Sequence, residues 1–358
     1  MVSARQETTA SVSASAEEGR GPSGVAVTQP LDSGSDLWNR QLPGAVDDHG
    51  ATARVSAVGF GCWAAGGRWW GEDVRDDDVV AAMRHAVDVG INWFDTAPLY
   101  GHGHADQLLV RAFGDRLSRV CVVTKVGVRW DGSGEHAESD LSPQYIQEDT
   151  EASLRRLGLE CIDLLQVHWP CERGTPLQDT VGALELLKTQ GKIRQYGLCN
   201  YTAEGLAEAN RWGRVATLQT PYNLLRREFE QQLQAYCQET ALPVIGYEPL
   251  CRGLLTGKFL ATQRFPESDL RGRDDRFLGN RFLRALTVVA RLQLVAKRIG
   301  APVPALALAW CLRNPVMTVV IAGAKRPGQV DDWLAAKELL ARTDIWAEVD
   351  RIAGSFRG

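Results

Sequence analysis

The sequence has few of the features that suit nucleic acid or a membrane. Its 40 Lys and Arg residues are outnumbered by 44 Asp and Glu, for a net charge of -4 at pH 7, and no lysine- and arginine-rich motif occurs. Apolar runs such as VATLQTPYNLL and APVPALALAWCL are too short or too interrupted to cross a bilayer, and no charged-then-apolar start marks a signal peptide. We therefore expect a cytoplasmic protein that binds neither nucleic acid nor a membrane.

Paired cysteine motifs are lacking as well. The eight cysteines are scattered without a CxxC, which argues against a disulfide framework and a zinc site, so most should pack as small apolar core residues. His102 and His104 stand two residues apart, but no third ligand follows at a suitable spacing. The sequence predicts no metal.

The chain divides into a short leader and one long domain. Residues 1–36 are rich in Ser, Ala, Gly and Glu without a periodic apolar face, which predicts a disordered leader. Residues 37–358 form the predicted domain, in which short apolar runs recur at an average spacing of about 30 residues, the size of a βα unit. The predicted strands span 58–63, 92–97, 120–125, 162–168, 196–200, 216–220, 244–248 and 318–323.

Helical patterns lie between these strands. Residues 76–90 begin on acidic residues and end at Gly90, and residues 142–158 begin with a Ser142 cap and Pro143 and end at Gly158. Eight buried strands that alternate with helices favour a closed α/β architecture, the (β/α)8 TIM barrel, with a C-terminal helical segment after the last strand.

Polar residues at the strand ends indicate where chemistry occurs. In a barrel, Asp95, Lys125 and His168 would meet at the carboxyl-terminal rim, with Tyr100 in the loop after the second strand. An ammonium held by a carboxylate favours the phenolate, so we expect the pKa of Tyr100 to lie below its usual value of about 10. Tyr100 would then act as a general acid toward a carbonyl oxygen, while His168 orients that carbonyl or relays the proton.

These residues stand in FDTAPLYG, VVTKVG and DLLQVHWP, and around them lie GFGCWAAGG, GKIRQYGLCNYT, QTPYNLL, GYEPLCRGLLTGKF and VVIAGAKRPGQVDDWLAA. In these stretches, from about Leu37 to Arg357, the chain resembles the aldo-keto reductase family. The resemblance implies a metal-free enzyme that reduces small-molecule aldehydes or ketones with NADPH, forming NADP+. It also implies that Asp95, Tyr100, Lys125 and His168 are the catalytic tetrad.

The resemblance further implies the cofactor contacts. Asn200 and Gln219 would hold the nicotinamide carboxamide, and Tyr222 would stack on the nicotinamide ring. Lys325 in particular implies a preference for NADPH, since it would meet the 2′-phosphate of the adenosine together with Gly323 and Gln329. The residues implied around the pyrophosphate are Pro249, Leu250, Arg252, Gly253, Leu255 and Lys258.

Two positions depart from the family pattern. Glu248 stands where relatives usually carry a small residue, and a carboxylate there repels a pyrophosphate unless its side chain turns away. Trp333 stands where an asparagine is common, so it either stacks on the adenine or faces the core. Elsewhere the predicted substrate pocket is aromatic, and the connection over 258–282 is expected to fold over bound cofactor as a gate. The predicted pocket residues are Trp63, Trp69, Trp70, Trp130 and Trp169.

Other functions compete with this interpretation. GFGCWA over 59–64 satisfies a dinucleotide fingerprint, but AGGRWWGED after it does not begin a tight helix, so a Rossmann site is rejected. A lyase or dehydratase could use Tyr100 and His168 as acid and base, and a non-enzymatic subunit could bind NADPH as a sensor. The sequence leaves both open and gives no oligomeric state.

Overall fold

The computed structural model describes residues 38–47, 50–71, 73–130 and 136–356. Eight parallel strands close into a barrel, in chain order with the last pairing with the first. All eight predicted barrel strands are confirmed, with ends that shift by at most three residues. Including two short hairpins, the strands are β1 Asn39–Val46, β2 Thr52–Ser56, β3 Val58–Gly61, β4 Trp93–Asp95, β5 Cys121–Val126, β6 Val128–Trp130, β7 Ala137–Ser139, β8 Ile162–Val167, β9 Ile193–Cys199, β10 Leu218–Pro221, β11 Val244–Tyr247 and β12 Met317–Ala322.

Helices follow most of the barrel strands, and three more follow the last strand as the predicted C-terminal segment. They are α1 Asp76–Asp88, α2 His104–Phe113, α3 Pro143–Leu157, α4 Leu177–Thr189, α5 Ala203–Ala209, α6 Glu228–Gln232, α7 Gln234–Glu239, α8 Gly279–Ile299, α9 Val303–Leu312, α10 Pro327–Leu334, α11 Ala336–Leu340 and α12 Trp346–Gly354. The (β/α)8 prediction is thereby confirmed. The predicted disordered leader lies outside the described residues, and the domain bounds stay a prediction.

The signals read at the ends of α3 act as expected. The Ser142 hydroxyl accepts a hydrogen bond from the Tyr145 backbone N–H at 3.4 Å, and Pro143 occupies the first turn, where its missing N–H costs nothing. Gly158 ends the helix at φ 66°, a left-handed conformation that favours glycine. The helix is therefore bounded by its own sequence.

The first hairpin, which the sequence did not predict, packs against the barrel interior. Leu42, Ala45 and Val55 of β1 and β2 form a cluster with interior residues of the barrel strands, among them Trp93 and Leu164. Gly44 lies so close to β8 that an added Cβ would sit 2.0 Å from the Asp163 carbonyl oxygen. This hairpin buries apolar strand residues, which leaves polar chemistry to the carboxyl ends of the strands.

Among the described residues, no single helix is long and apolar enough to cross a membrane. The pair α8 and α9 passes that test only when taken together, and the two helices meet at an angle of 97°. Every residue of α9 is buried.

Candidate active site

The four residues predicted as a tetrad meet at the carboxyl-terminal rim of the barrel. The Lys125 ammonium donates to Asp95 Oδ1 at 2.5 Å and to the Thr96 carbonyl at 3.0 Å. It lies 4.9 Å from the centre of the Tyr100 ring, and the His168 ring is 5.9 Å from that of Tyr100. Strand ends and one loop therefore place a carboxylate, an ammonium, a phenol and an imidazole around one small space.

Burial dominates the acidity of the phenol. Desolvation raises the pKa of Tyr100 above its usual value, although the neighbouring Lys125 opposes the shift. The expectation of a lowered pKa is therefore wrong for the protein without ligand, because the sequence shows the ammonium but not the burial. At neutral pH Tyr100 carries its proton, and the Lys125 ammonium is near enough to stabilise a phenolate at this position.

The pKa values of Lys125 and His168 shift in opposite directions. Burial lowers the pKa of Lys125, but Asp95 and Tyr100 outweigh it and the net pKa is raised, so the ammonium stays charged. Burial and the same ammonium hold the pKa of His168 well below its usual range. His168 is thus a neutral imidazole near pH 7, suited to hydrogen bonding with a carbonyl rather than to acting as a cationic acid.

The two predicted carboxamide contacts lie beside the tetrad. Gln219 donates to Asp95 Oδ2 at 2.8 Å, and Asn200 donates to the His168 carbonyl at 3.1 Å. These bonds orient both amides toward the cavity that they line.

The prediction for Tyr222 is wrong. Its hydroxyl bonds Glu230 at 2.8 Å and Asn314 at 3.2 Å, its ring stacks on Trp310 at 5.2 Å, and it lies outside the cavity lining. Tyr222 follows β10 by one residue, and side chains on a strand alternate between its faces, so this one points toward the surrounding helices.

Tyr247, on the neighbouring strand, lines the cavity that Tyr222 does not reach. It ends β11, lines the cavity and donates its hydroxyl to Asn200 Oδ1 at 2.7 Å. The rule that a residue at the end of a barrel strand reaches the rim could have found it, but the predicted strand over 244–248 ended one residue too late, at Glu248.

A cavity of about 480 Å3 opens at this rim. Most of the predicted residues line it, and the lining residues that the sequence reasoning missed include Leu99, Arg226, Tyr247, Thr256 and Arg271. The predicted residues that line it are Asp95, Tyr100, Lys125, His168, Asn200, Gln219, Pro249, Leu250, Arg252, Gly253, Lys258, Gly323, Lys325, Gln329, Trp63, Trp69, Trp70 and Trp169.

Besides Tyr222, two predicted residues lie outside this lining. Leu255 is fully buried in the apolar core, so its side chain does not reach the cavity. Trp130, in the β6–β7 hairpin, stacks on His102 instead, with ring centres 4.8 Å apart and nearly parallel.

One end of the cavity carries an excess of positive charge. Burial lowers the pKa of Lys258, and the guanidinium of Arg271 and the ammonium of Lys325 lower it further. Among the described residues no carboxylate pairs with Lys258. Although the Lys258 side chain reaches the surface, an ammonium crowded by other cations favours an anion beside it, so these residues fit the pyrophosphate and phosphate groups of a dinucleotide.

Lys325 itself is already engaged. Its ammonium donates to Asp73 Oδ1 at 2.7 Å and to the Trp70 carbonyl at 2.8 Å, and Arg326 lies 4.0 Å from the other oxygen of Asp73. A 2′-phosphate at Lys325 must therefore share or displace Asp73.

Glu248 does not leave a free carboxylate toward the phosphates. It accepts from Arg252 Nε at 2.6 Å and from Arg276 at 2.8 Å, and Asp274 bonds the same two arginines. The side chains of Glu248 and Asp274 are 6% and 7% exposed. We call these four residues the Glu248 network. The predicted repulsion is thus offset by two guanidinium groups.

The other departure, Trp333, is a core residue. It is 1% exposed, and its ring packs 6.1 Å from that of Phe60. Although it lines part of the cavity wall, its main contacts are with the core.

The segment after Lys258 is held beside the cavity by a backbone hydrogen bond and by ion pairs. The Leu270 backbone N–H donates to the Trp69 carbonyl at 2.9 Å, and Asp274 and Arg276 belong to the Glu248 network. Part of the predicted gate thus contacts both the aromatic wall and the turn after β11, although its opening stays a prediction.

An eight-stranded barrel with a lysine-assisted phenol at its rim, beside a cationic groove, defines the class of barrel oxidoreductases. The aldo/keto reductase family profile matches residues 57–353, and the chain belongs to this family. It is accordingly an oxidoreductase of small carbonyl compounds that uses a nicotinamide cofactor.

Three relatives illustrate the range of the likeness. The glycerol dehydrogenase AKR11B4 from Gluconobacter oxydans has a TM-score of 0.78 and 35% identity, covering 90% of this chain and 97% of that one. An aldo-keto reductase from Klebsiella pneumoniae in complex with NADPH has a TM-score of 0.65 and 27% identity, covering 88% and 95%. The NADH-specific methylglyoxal reductase of Escherichia coli is 32% identical over 295 residues, 79% of this chain and 90% of the relative.

Proposed function

We propose that the protein reduces an aldehyde or ketone to an alcohol with NADPH, with Tyr100 as the general acid. The observation that carries this proposal is the Lys125 ammonium, which is bonded to Asp95 and lies 4.9 Å from the centre of the Tyr100 ring at the cavity. When bound, the cofactor supplies a hydride to the carbonyl carbon. The chain supplies the proton from the Tyr100 hydroxyl to the carbonyl oxygen.

Each neighbour of Tyr100 has a separate task. Lys125 stabilises the phenolate, Asp95 holds Lys125 in place, and neutral His168 orients the carbonyl oxygen toward Tyr100. The raised pKa of Tyr100 keeps the proton available up to alkaline pH. The lyase alternative gains nothing from Glu248, whose carboxylate is held by Arg252 and Arg276.

The preference for NADPH rests on the cationic end of the cavity. Lys258, Arg271 and Lys325 supply charge for the phosphates, and the Klebsiella relative was solved with NADPH. The Escherichia coli relative is NADH-specific, so the balance depends on how firmly Asp73 holds Lys325. A cytoplasmic location is proposed from the sequence alone.

The test is Tyr100→Phe, with Tyr236→Phe as a matched control outside the cavity. We expect Tyr100→Phe to keep NADPH affinity, measured by quenching of tryptophan fluorescence, and to lower turnover by about two to four orders of magnitude, the scale of a lost proton donor. Turnover is followed by loss of NADPH absorbance over a panel of aldehydes and ketones. Reduction by Tyr100→Phe at the rate of the control would refute the role of Tyr100.

A further inference from the structure

The described cavity lining holds more positive than negative side chains. Three carboxylates line it, those of Asp95, Glu248 and Asp332, whereas the cations are Lys125, Arg226, Arg252, Lys258, Arg271 and Lys325. Four of these cations have a close carboxylate partner: Lys125 in Asp95, Arg252 in Glu248, Arg271 in Asp269 and Lys325 in Asp73. Lys258 and Arg226 remain.

These two cations are associated with different groups in the cavity. The positive charges of Lys325 and Arg326 act on the ammonium of Lys258, at the end of the cavity where we expect the dinucleotide phosphates. The turn that carries Arg226 is bonded to the end of β11, because the Asn223 amide donates to the Glu248 carbonyl at 3.0 Å, next to Tyr247, which bonds Asn200 beside the tetrad. Arg226 therefore belongs to the end where the carbonyl is reduced.

The described residues give the Arg226 guanidinium no carboxylate at hydrogen-bond distance, and its side chain is 40% exposed to water. Paired backbone hydrogen bonds between Asn223 and Arg226, at 3.1 and 3.0 Å, fix the turn that carries it. Its nearest carboxylate, Glu228, is 3.9 Å away and 63% exposed, too far for a hydrogen bond. The next residue, Arg227, is by contrast bonded to both oxygens of Glu230 at 2.9 and 2.8 Å.

The aromatic wall holds two indole N–H groups without partners. The indole N–H groups of Trp70 and Trp169 are buried, and neither has an acceptor among the described residues. Both tryptophans line the cavity, and the Trp169 ring lies 4.6 Å from that of His168. Trp169 therefore lies at the reacting end, whereas Trp70 lies toward Lys325, which donates to its carbonyl, and the carboxylates of Asp95 and Glu248 already accept hydrogen bonds.

We infer that the substrate is a carbonyl compound that also carries an anionic group, a carboxylate or a phosphate, and that Arg226 binds this group. The inference rests on the proposed reductase function and narrows its substrate class. The aldehyde or keto group lies at Tyr100 and His168, the anionic group lies at Arg226, and the tryptophans cover the apolar part between them. An ionised acceptor gives a guanidinium the stronger, charge-assisted kind of hydrogen bond.

The experiment compares acids with their methyl esters, which keep the carbonyl and remove the charge. Two pairs are used, 4-carboxybenzaldehyde and 4-oxobutanoate, each with its ester, so that one spacer is rigid and one flexible. We expect kcat/KM of the wild type to be about tenfold higher for at least one acid than for its ester, the size of one partly exposed charge-assisted hydrogen bond.

The variants are Arg226→Gln, Arg226→Lys and the control Arg273→Gln, whose arginine lines a neighbouring cavity but not this one. Arg226→Gln should raise KM for the preferred acid about tenfold, without changing kcat for the acid or the kinetic constants for the ester. Arg226→Lys should restore part of the preference for the acid. The control should match the wild type. The inference would be overturned if kcat/KM were no higher for the acid than for its ester in both pairs, or if Arg226→Gln lowered kcat/KM equally for acid and ester. Either result would leave the reductase function intact. A wild type that reduces none of the four compounds counts against the reductase proposal itself.

Discussion

The Glu248 network gives the sharpest prediction about stability. Replacing Glu248 by Gln keeps the size of the side chain but removes one of two carboxylates facing two guanidinium groups. Arg252 and Arg276 would then share Asp274 alone. Removing one partner of a buried ion pair costs about 3–5 kcal/mol.

The cost for this network should be lower than that range. The side chains of Arg252 and Arg276 are 21% and 14% exposed, so water recovers part of the loss, and Asp274 remains. We expect Glu248→Gln to lower the free energy of unfolding by about 2–3 kcal/mol, a large share of the roughly 5–15 kcal/mol typical of a domain. The turn that Glu248 helps to hold is itself strained, since Glu248, Cys251 and Arg252 have φ of 54°, 47° and 54°.

The assay is urea unfolding followed by tryptophan fluorescence, with linear extrapolation to water. The control is Glu267→Gln, which replaces an exposed glutamate in the segment after Lys258. It should change stability by less than about 0.5 kcal/mol. If Glu248→Gln is as stable as this control, the network does not stabilise the fold and the reasoning from burial and ion pairing is refuted.

Three further outcomes are expected. Asp73→Asn should tighten NADPH binding by about a few-fold, the scale of an exposed ion pair, and leave NADH nearly unchanged in fluorescence titrations, because Asp73 occupies Lys325; an equal change for both cofactors would contradict this. Burial raises the pKa of Asp149 from 3.8 to about 6; the nearby Arg156 lowers this pKa and the nearby Asp106 raises it further. The contribution of Asp149 to stability is therefore full at low pH and is lost as the pH rises through about 6. Asp149→Asn, whose amide oxygen can still accept from the Gly127 N–H, should therefore stabilise the fold by about 1–3 kcal/mol at pH 8 and little at pH 4 in urea unfolding, and a gain of equal size at both would refute the titration. Saturating NADPH should slow tryptic cutting over 258–282, and rapid cutting with and without NADPH would count against a gate.

The sequence predicts what depends on local order along the chain. Strand ends at Lys125 and His168 are visible as apolar runs that stop at a polar residue, and in a parallel barrel all such ends meet at one rim. The tetrad positions could therefore be placed before any coordinates. The β1–β2 hairpin was missed because its few apolar residues face the barrel interior, which is a tertiary contact.

The failures come from orientation and burial. Tyr222 and Tyr247 both stand at the ends of neighbouring strands, yet one extra residue sends Tyr222 to the opposite face. The direction of the Tyr100 pKa depends on how much water the fold excludes. Asp73 and its partner Lys325 are 252 residues apart in the chain, so no local sequence pattern predicts such a pair.

The charged side chains that line the cavity divide into those that the protein has paired and those that it has not. The ion pairs Lys125–Asp95 and Arg252–Glu248 satisfy each other, so a ligand gains little by competing for them. Among the described residues, Lys258 and Arg226 lack such a partner at close range, and both side chains reach water. A ligand that brings an anion to each gains a charge-assisted hydrogen bond that the protein itself does not use. In the proposed assignment Lys258 binds the cofactor phosphates and Arg226 binds the substrate, so an uncharged substrate would leave the Arg226 guanidinium with water alone.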